Sequence, residues 1–228
     1  MSAIADLDVR SDLATAHRQA WDALALPGTW WTGNQRVELA ATAVVALTDA
    51  NPLPPWTAPS SVDGWLDRDL VAPPVAHDVV YRVAAHAGTL SESWYERVSA
   101  ELDDLAYVEV VGIACTVAAV VAFRRAAGLA PWELPRPVDG EPSRVVPPGL
   151  VPAGLNWVRV TSPADETAAV VQAFTSVPAE SERLWMLAEA QYIPNLEMVD
   201  PRWTRGTLSR PQMELVAARV SQLRECFY

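Results

Sequence analysis

Hydrophobic residues recur at three- and four-residue spacing along most of the chain, and no stretch sustains an alternation of apolar and polar positions. That period belongs to helices packed by one face, so the chain is expected to be all-α. Leu13, Ala16, Ala20 and Leu24 mark one face of a first helix over 11–26. Thr32 is placed to cap a second helix over 35–49. Asn51 to Pro59 (NPLPPWTAP) ends it, because proline removes donors and blocks helical geometry. A short helix over 60–70 and a better-patterned one over 75–86 follow. Ser91 is expected to cap a helix through Leu102, and Asp103 the longest one, from Ala106 to about Ala127, closed by Gly128.

Seven prolines between Pro131 and Pro152 exclude helix and predict an extended connector. Helical spacing returns over 162–174, 180–190 and 209–224, and NWVRV is the one β candidate. The expected organisation is a helical unit over 1–130, a Pro-rich linker over 131–160 and a further helical stretch over 161–228.

Composition narrows the function classes. Half of the 228 residues are hydrophobic, which suffices for one large core or two modest ones. A formal charge of −11 argues against a nucleic-acid partner. All 17 basic residues are Arg, as a GC-rich coding bias would produce. With only Cys115 and Cys226 there is no disulfide framework, so a reducing, cytoplasmic setting is expected. The N-terminal stretch carries Asp and Arg from the start and has no apolar signal core. The longest apolar run, Val110 to Phe123, has 14 residues. A membrane span needs about 20, so a buried helix and no membrane partner are expected.

The last helix has an echo near the start of the chain. TGNQRVELAATAVVAL (32–47) parallels SRPQMELVAARVSQL (209–223) once one residue of slack is allowed near the cap. Glu38 then faces Glu214, Leu39 faces Leu215, Leu47 faces Leu223 and Ala50 faces Cys226.

The C-terminal copy, LSRPQMELVAARVSQLRECFY, resembles the core of the alkylhydroperoxidase D-like, or carboxymuconolactone decarboxylase, family. The resemblance rests on Leu208, Ser209, Glu214, Leu215, Val220, Ser221, Leu223 and Cys226, with Pro194 and Asn195 in the segment before. It implies that 1–130 is a degenerate copy of the same helical unit with no cysteine at the motif position, whose closing helices look like LSESWYERVSAELDDLAYVEVVGIACTVAAVVAFRRAAGL. It further implies that 161–228 is the first part of a second unit.

In that family a Cys-x-x-Cys pair reduces peroxide, followed by a His. Carried over, Cys226 is the first redox residue and Glu214, twelve residues before it, the relay base. Twelve residues of straight helix span about 18 Å, so the chain must turn back after Leu223 for the two to meet. The second Cys would fall at position 229 and the His at 233, beyond residue 228. Two expectations account for this: a fragment or truncated product of a longer two-domain protein, or a UGA codon read as selenocysteine that places a selenol at the second position; the DNA past codon 228 decides between them.

The resemblance thus implies thiol-dependent peroxide reduction. Its partners would be a peroxide or other small substrate and a thiol electron donor, in a homo-oligomer, with no cofactor. Two other readings stay open: a catalytically inert helical scaffold, and proton transfer of the lactone decarboxylase type.

Other candidates have plainer readings. Cys115, amid VVGIACTVAAVV, reads as a small buried hydrophobe. Glu38 and Glu109, inside apolar helices, read as solvent-edge or Arg-paired carboxylates rather than buried bases. His77 and His86, nine apart, fall on opposite sides of one helix and cannot form a metal pair. No zinc spacing and no glycine-rich phosphate loop occur. The ten Trp are scattered and fit core filling and docking of the Pro-rich stretch.

Overall fold

The computed structural model describes residues 8–48, 69–154, 156–161 and 169–223. The fold is all-α, as the periodicity predicts. Among the described residues it has eight α-helices: α1 Ser11–Asp22, α2 Gly33–Thr48, α3 Pro74–His86, α4 Glu92–Ser99, α5 Asp104–Ala126, α6 Ala169–Gln172, α7 Pro178–Gln191 and α8 Arg210–Leu223. The sole sheet among them pairs β1 Val151–Pro152 with β2 Arg159–Val160, antiparallel. The proline run over 51–59, most of the short helix expected over 60–70, and 162–168 lie outside the described residues.

Local chemistry sets the ends of the central helix. The Asp103 carboxylate accepts the Leu105 amide at 2.9 Å, satisfying one of the donors that a helix start leaves open. At the other end Gly128 takes a positive φ of 67°, and the Leu129 amide returns to the Arg124 carbonyl at 2.8 Å. Between these caps α5 buries Leu105, Val110, Ile113, Val117 and Val120. By length and composition it could cross a membrane, and 67% of its apolar window is buried inside the fold.

Packing follows from the apolar faces. α2 and α3 lie against each other and against α5, while α1 and α7 pair and both rest on α5. Leu39, Ala40 and Ala43 of α2 meet Val75, Ala76, Val79 and Val80 of α3 in the main core. The small side chains of α2 allow a close approach, and burying each larger one contributes about 1.5–3 kcal/mol.

The Pro-rich stretch is extended, and it is also held down along its length. Trp132 packs edge-on to Trp21 at 6.1 Å, with the Arg18 and Arg124 guanidiniums 3.8 and 4.2 Å from its ring centre. Trp21 Nε1 donates to the Glu133 carbonyl at 2.8 Å, and the Val138 amide to the Ala25 carbonyl at 2.9 Å. Further on, the Ser143 and Arg144 amides donate to the Gly28 and Thr29 carbonyls at 3.0 and 2.9 Å. An apparent spacer is thus a strap over α1 and the turn before α2.

α8 differs from the other long helices. Met213 is its one buried residue, while Leu215 (72% exposed), Val216, Val220 and Leu223 remain uncovered.

Candidate functional site

The deepest polar feature is a cluster of four charges where α2, α5 and α7 meet. Arg36 lies on the same side of α2 as Leu39, Ala40 and Ala43, so the packing that buries those residues buries its guanidinium too. Its Nη1 donates to Glu109 Oε1 of α5, and to Glu180 Oε1 of α7 at 3.1 Å. Arg183, one turn along α7, donates to Glu180 Oε2. The Trp30 amide donates to Glu109 Oε2 at 2.6 Å. Arg36 and Glu109 are 0% exposed and Glu180 3%. Two Arg and two Glu make the cluster formally neutral, which is how buried charge is tolerated.

Burial pushes the Glu109 carboxyl above the ordinary carboxylate range, against the pull of Arg36 and the Trp30 amide. For Arg36, burial works downward, but the two carboxylates outweigh it and the guanidinium is held even more firmly charged. Arg36 Nε and Nη2 have no hydrogen-bond partner among the described residues. Glu180 sits in the first turn of α7, where the helix dipole favours a negative charge.

Beside this cluster a cavity of about 130 Å³ lies between α5 and α7. Gly112, Cys115, Thr116 and Ala119, a stripe at helical spacing, form one wall, and Phe174 and Leu187 belong to the other. Gly112 is required there: a Cβ would come within 2.8 Å of Glu180 Cδ and 2.9 Å of Cγ. Cys115 is partly buried, and burial pushes its thiol up to about 11. It therefore stays protonated and a poor nucleophile at neutral pH.

A second polar constellation joins α2 to α3. Thr42 Oγ1 lies 2.8 Å from His77 Nδ1, and His77 Nε2 lies 3.2 Å from Glu38 Oε2. The Glu38 carboxylate also accepts the Val71 and Ala72 amides at 2.9 and 2.7 Å. Glu38 thus lies at the solvent edge, 23% exposed, and fastens the approach to α3. Glu109 is Arg-paired, but at the centre of the fold rather than its edge.

Glu214 lies on the exposed part of α8. Its Oε2 accepts the Tyr192 hydroxyl at 2.7 Å and its Oε1 accepts Arg210 Nε at 2.5 Å. Those two bonds, Tyr192 first, hold its carboxyl below the usual range. Burial and the facing carboxylate push the Tyr192 hydroxyl up to about 12. Cys226 lies outside the described residues.

The echo between α2 and α8 extends to their caps. The Thr32 amide donates to Gln35 Oε1 at 3.0 Å and the Gln35 amide to Thr32 Oγ1 at 3.3 Å, a reciprocal capping box. The Ser209 amide and hydroxyl donate to Gln212 Oε1 at 2.8 and 3.1 Å. The slack residue has a geometric consequence. Glu38 follows its capping Gln by three positions and Glu214 by two, a difference of about 100° around a helix. One carboxylate turns to α3, the other to Tyr192.

Among the described residues no group of three or more His, Cys, Asp or Glu could hold a metal ion. Arg36, Glu180 and Arg183 are not among the candidates the sequence singles out. Arg36 carried a usable signal, since it precedes Leu39 and Ala40 by three and four residues and so shares their side of a helix. Glu180 and Arg183, at the start of α7, carried none. No family model matches the chain, and no curated protein or solved structure matches it either.

Proposed function

We propose that this chain acts in thiol-dependent peroxide reduction of the alkylhydroperoxidase type, with Glu214 as relay carboxylate and Cys226 as attacking thiol. The observation that carries this reading is the setting of Glu214. It is an ionised carboxylate at the surface of α8, bonded to a Tyr192 hydroxyl that stays protonated, on a helix begun by a Ser–Gln cap. A carboxylate joined to a phenol can relay a proton to solvent from a reacting group brought within hydrogen-bond reach.

The chemistry balances in three steps. Deprotonated Cys226 Sγ attacks one peroxide oxygen, the O–O bond breaks, and the departing alkoxide or hydroxide takes a proton to leave as alcohol or water. A second thiol or selenol attacks the sulfenic sulfur, forming an S–S or S–Se bond as the S–O bond breaks and the hydroxyl leaves as water. A dithiol donor then supplies two electrons and two protons to restore the thiol.

Trapping the sulfenic acid tests this on the 228-residue chain. Hydrogen peroxide followed by a dimedone-type probe should label Cys226 and leave Cys115 unlabelled, as read by peptide mass spectrometry. Glu214→Gln should slow labelling by roughly 10²-fold, the lower range for loss of a positioned base. Labelling of Cys226 no faster than of a free cysteine refutes the proposal.

A scaffold role has its own support in α8, whose Leu215, Val216, Val220 and Leu223 form an uncovered apolar face. Sedimentation of the wild-type chain and of a Val216→Glu/Leu223→Glu variant separates that role. Dissociation on substitution, without loss of Cys226 labelling, favours it.

A further inference from the structure

We propose that the cavity between α5 and α7 is a binding site for a small, neutral, mostly apolar molecule bearing one hydroxyl, with that hydroxyl donating to Glu180. The site is independent of the Glu214 reading. At about 130 Å³ it approaches the roughly 150 Å³ of an engineered apolar cavity that stays dry and takes up benzene. Its walls are apolar where a ring or short alkyl body would rest, with Phe174, Leu184, Leu187 and Ala119 among them. Exposed Gln191 lines the outer end, so the cavity reaches the surface there.

Glu180 lies at the inner end, its side chain 2% exposed. Arg36 and Arg183 hold one carboxylate oxygen each, which fixes the group while leaving lone pairs on both oxygens. Gly112 supplies the space for the carboxylate against α5, where any side chain would displace it. The result is a preorganised acceptor at the bottom of an apolar chamber. A hydroxyl meeting it exchanges a bond to water for a charge-assisted one.

The charge of the ligand follows from the cluster. Arg36, Arg183, Glu109 and Glu180 already cancel, so an ionised ligand would bring an uncompensated charge into the interior. A neutral donor brings none. The small volume excludes anything much beyond a single six-membered ring.

Phenol and toluene, matched in size and different in the hydroxyl, test the site by titration followed by amide NMR. Phenol should bind saturably, shift Gly112, Cys115 and Thr116, and bind at least about tenfold tighter than toluene, as one charge-assisted hydrogen bond predicts. Ala119→Leu fills the chamber and should abolish binding of both. Glu180→Gln should bring phenol close to toluene. The Ala119 variant leaves the charges untouched and keeps the test decisive if the Glu180 variant does not fold. Absence of saturable phenol binding, undiminished binding to Ala119→Leu, or equal affinity for the two probes overturns the proposal.

Discussion

Replacing Arg36 by Met removes a guanidinium from the centre of the fold and leaves its partners in place. Glu180 keeps Arg183, but Glu109 is left with the Trp30 amide as its remaining donor among the described residues. The formal charge of the cluster falls from zero to −1, and that charge sits on a carboxylate with no exposure. Breaking a buried ion pair from one side typically costs about 3–5 kcal/mol. For a chain of this size that corresponds to a Tm lowered by roughly 6–20 °C.

The deficit should depend on pH. Burial already raises Glu109, and removing Arg36 takes away the strongest opposing pull. A carboxyl raised on folding stabilises fully below its unfolded pKa of about 4.3, and loses that contribution as pH rises through its folded pKa. The variant should therefore come closest to wild type at low pH and fall behind by up to about 1.4 kcal/mol per pH unit as pH rises through that window. Urea unfolding followed by Trp fluorescence between pH 5 and 8 measures this. Adding Glu109→Gln, which keeps an acceptor for the Trp30 amide, should recover more than half of the loss. A loss below about 1 kcal/mol, or one that does not change with pH, refutes the account of the cluster as mutually compensating charge.

Two further outcomes follow from other sites. Iodoacetamide alkylation of Cys115 should be slow at pH 8 and rise about tenfold per pH unit toward its pKa of about 11, resolved from Cys226 by peptide mass spectrometry; a plateau near pH 8.5 contradicts the burial account. Arg159 donates to both Asp104 oxygens, at 2.8 and 2.6 Å, and holds that carboxyl below its usual range. Its stabilisation is therefore present above the ordinary carboxylate pKa and lost as pH falls through the depressed one. With Arg159 45% exposed, Arg159→Ala should cost only about 0.2–1 kcal/mol at pH 7, and less at pH 3, in the same urea assay.

The fold was largely legible because its signals are local. A capping Asp or Thr, a three-to-four-residue apolar period and a closing Gly act within one or two turns, and the structure uses Thr32, Ser91, Asp103 and Gly128 as those rules predict. The fate of the Pro-rich stretch was not local. Proline content predicts its extended backbone, whereas its docking depends on Trp132 reaching Trp21, Arg18 and Arg124. Arg124 is only eight residues away, but Arg18 and Trp21 lie more than a hundred residues before Trp132, and no spacing rule links them to it.

The charge cluster was harder to read for the same reason, in stronger form. Glu109 stands 73 residues from Arg36, and Glu180 144 residues from it. A carboxylate within VEVV is ambiguous by itself, because one helix turn can face solvent or core according to what packs on it. Arg36 is the informative member: a guanidinium on the same helix side as Leu39 and Ala40 costs several kcal/mol to bury unless the fold supplies carboxylates. Its position therefore requires buried acid partners, and in a chain otherwise so apolar there, Glu109 is an obvious candidate. The echo shows the complementary case. α2 and α8 share a cap and an apolar pattern, yet Leu39 is fully buried and its counterpart Leu215 is 72% exposed. Pattern specifies which face seeks burial; a neighbouring surface decides whether it is buried, and α2 has α3 and α5 to supply one.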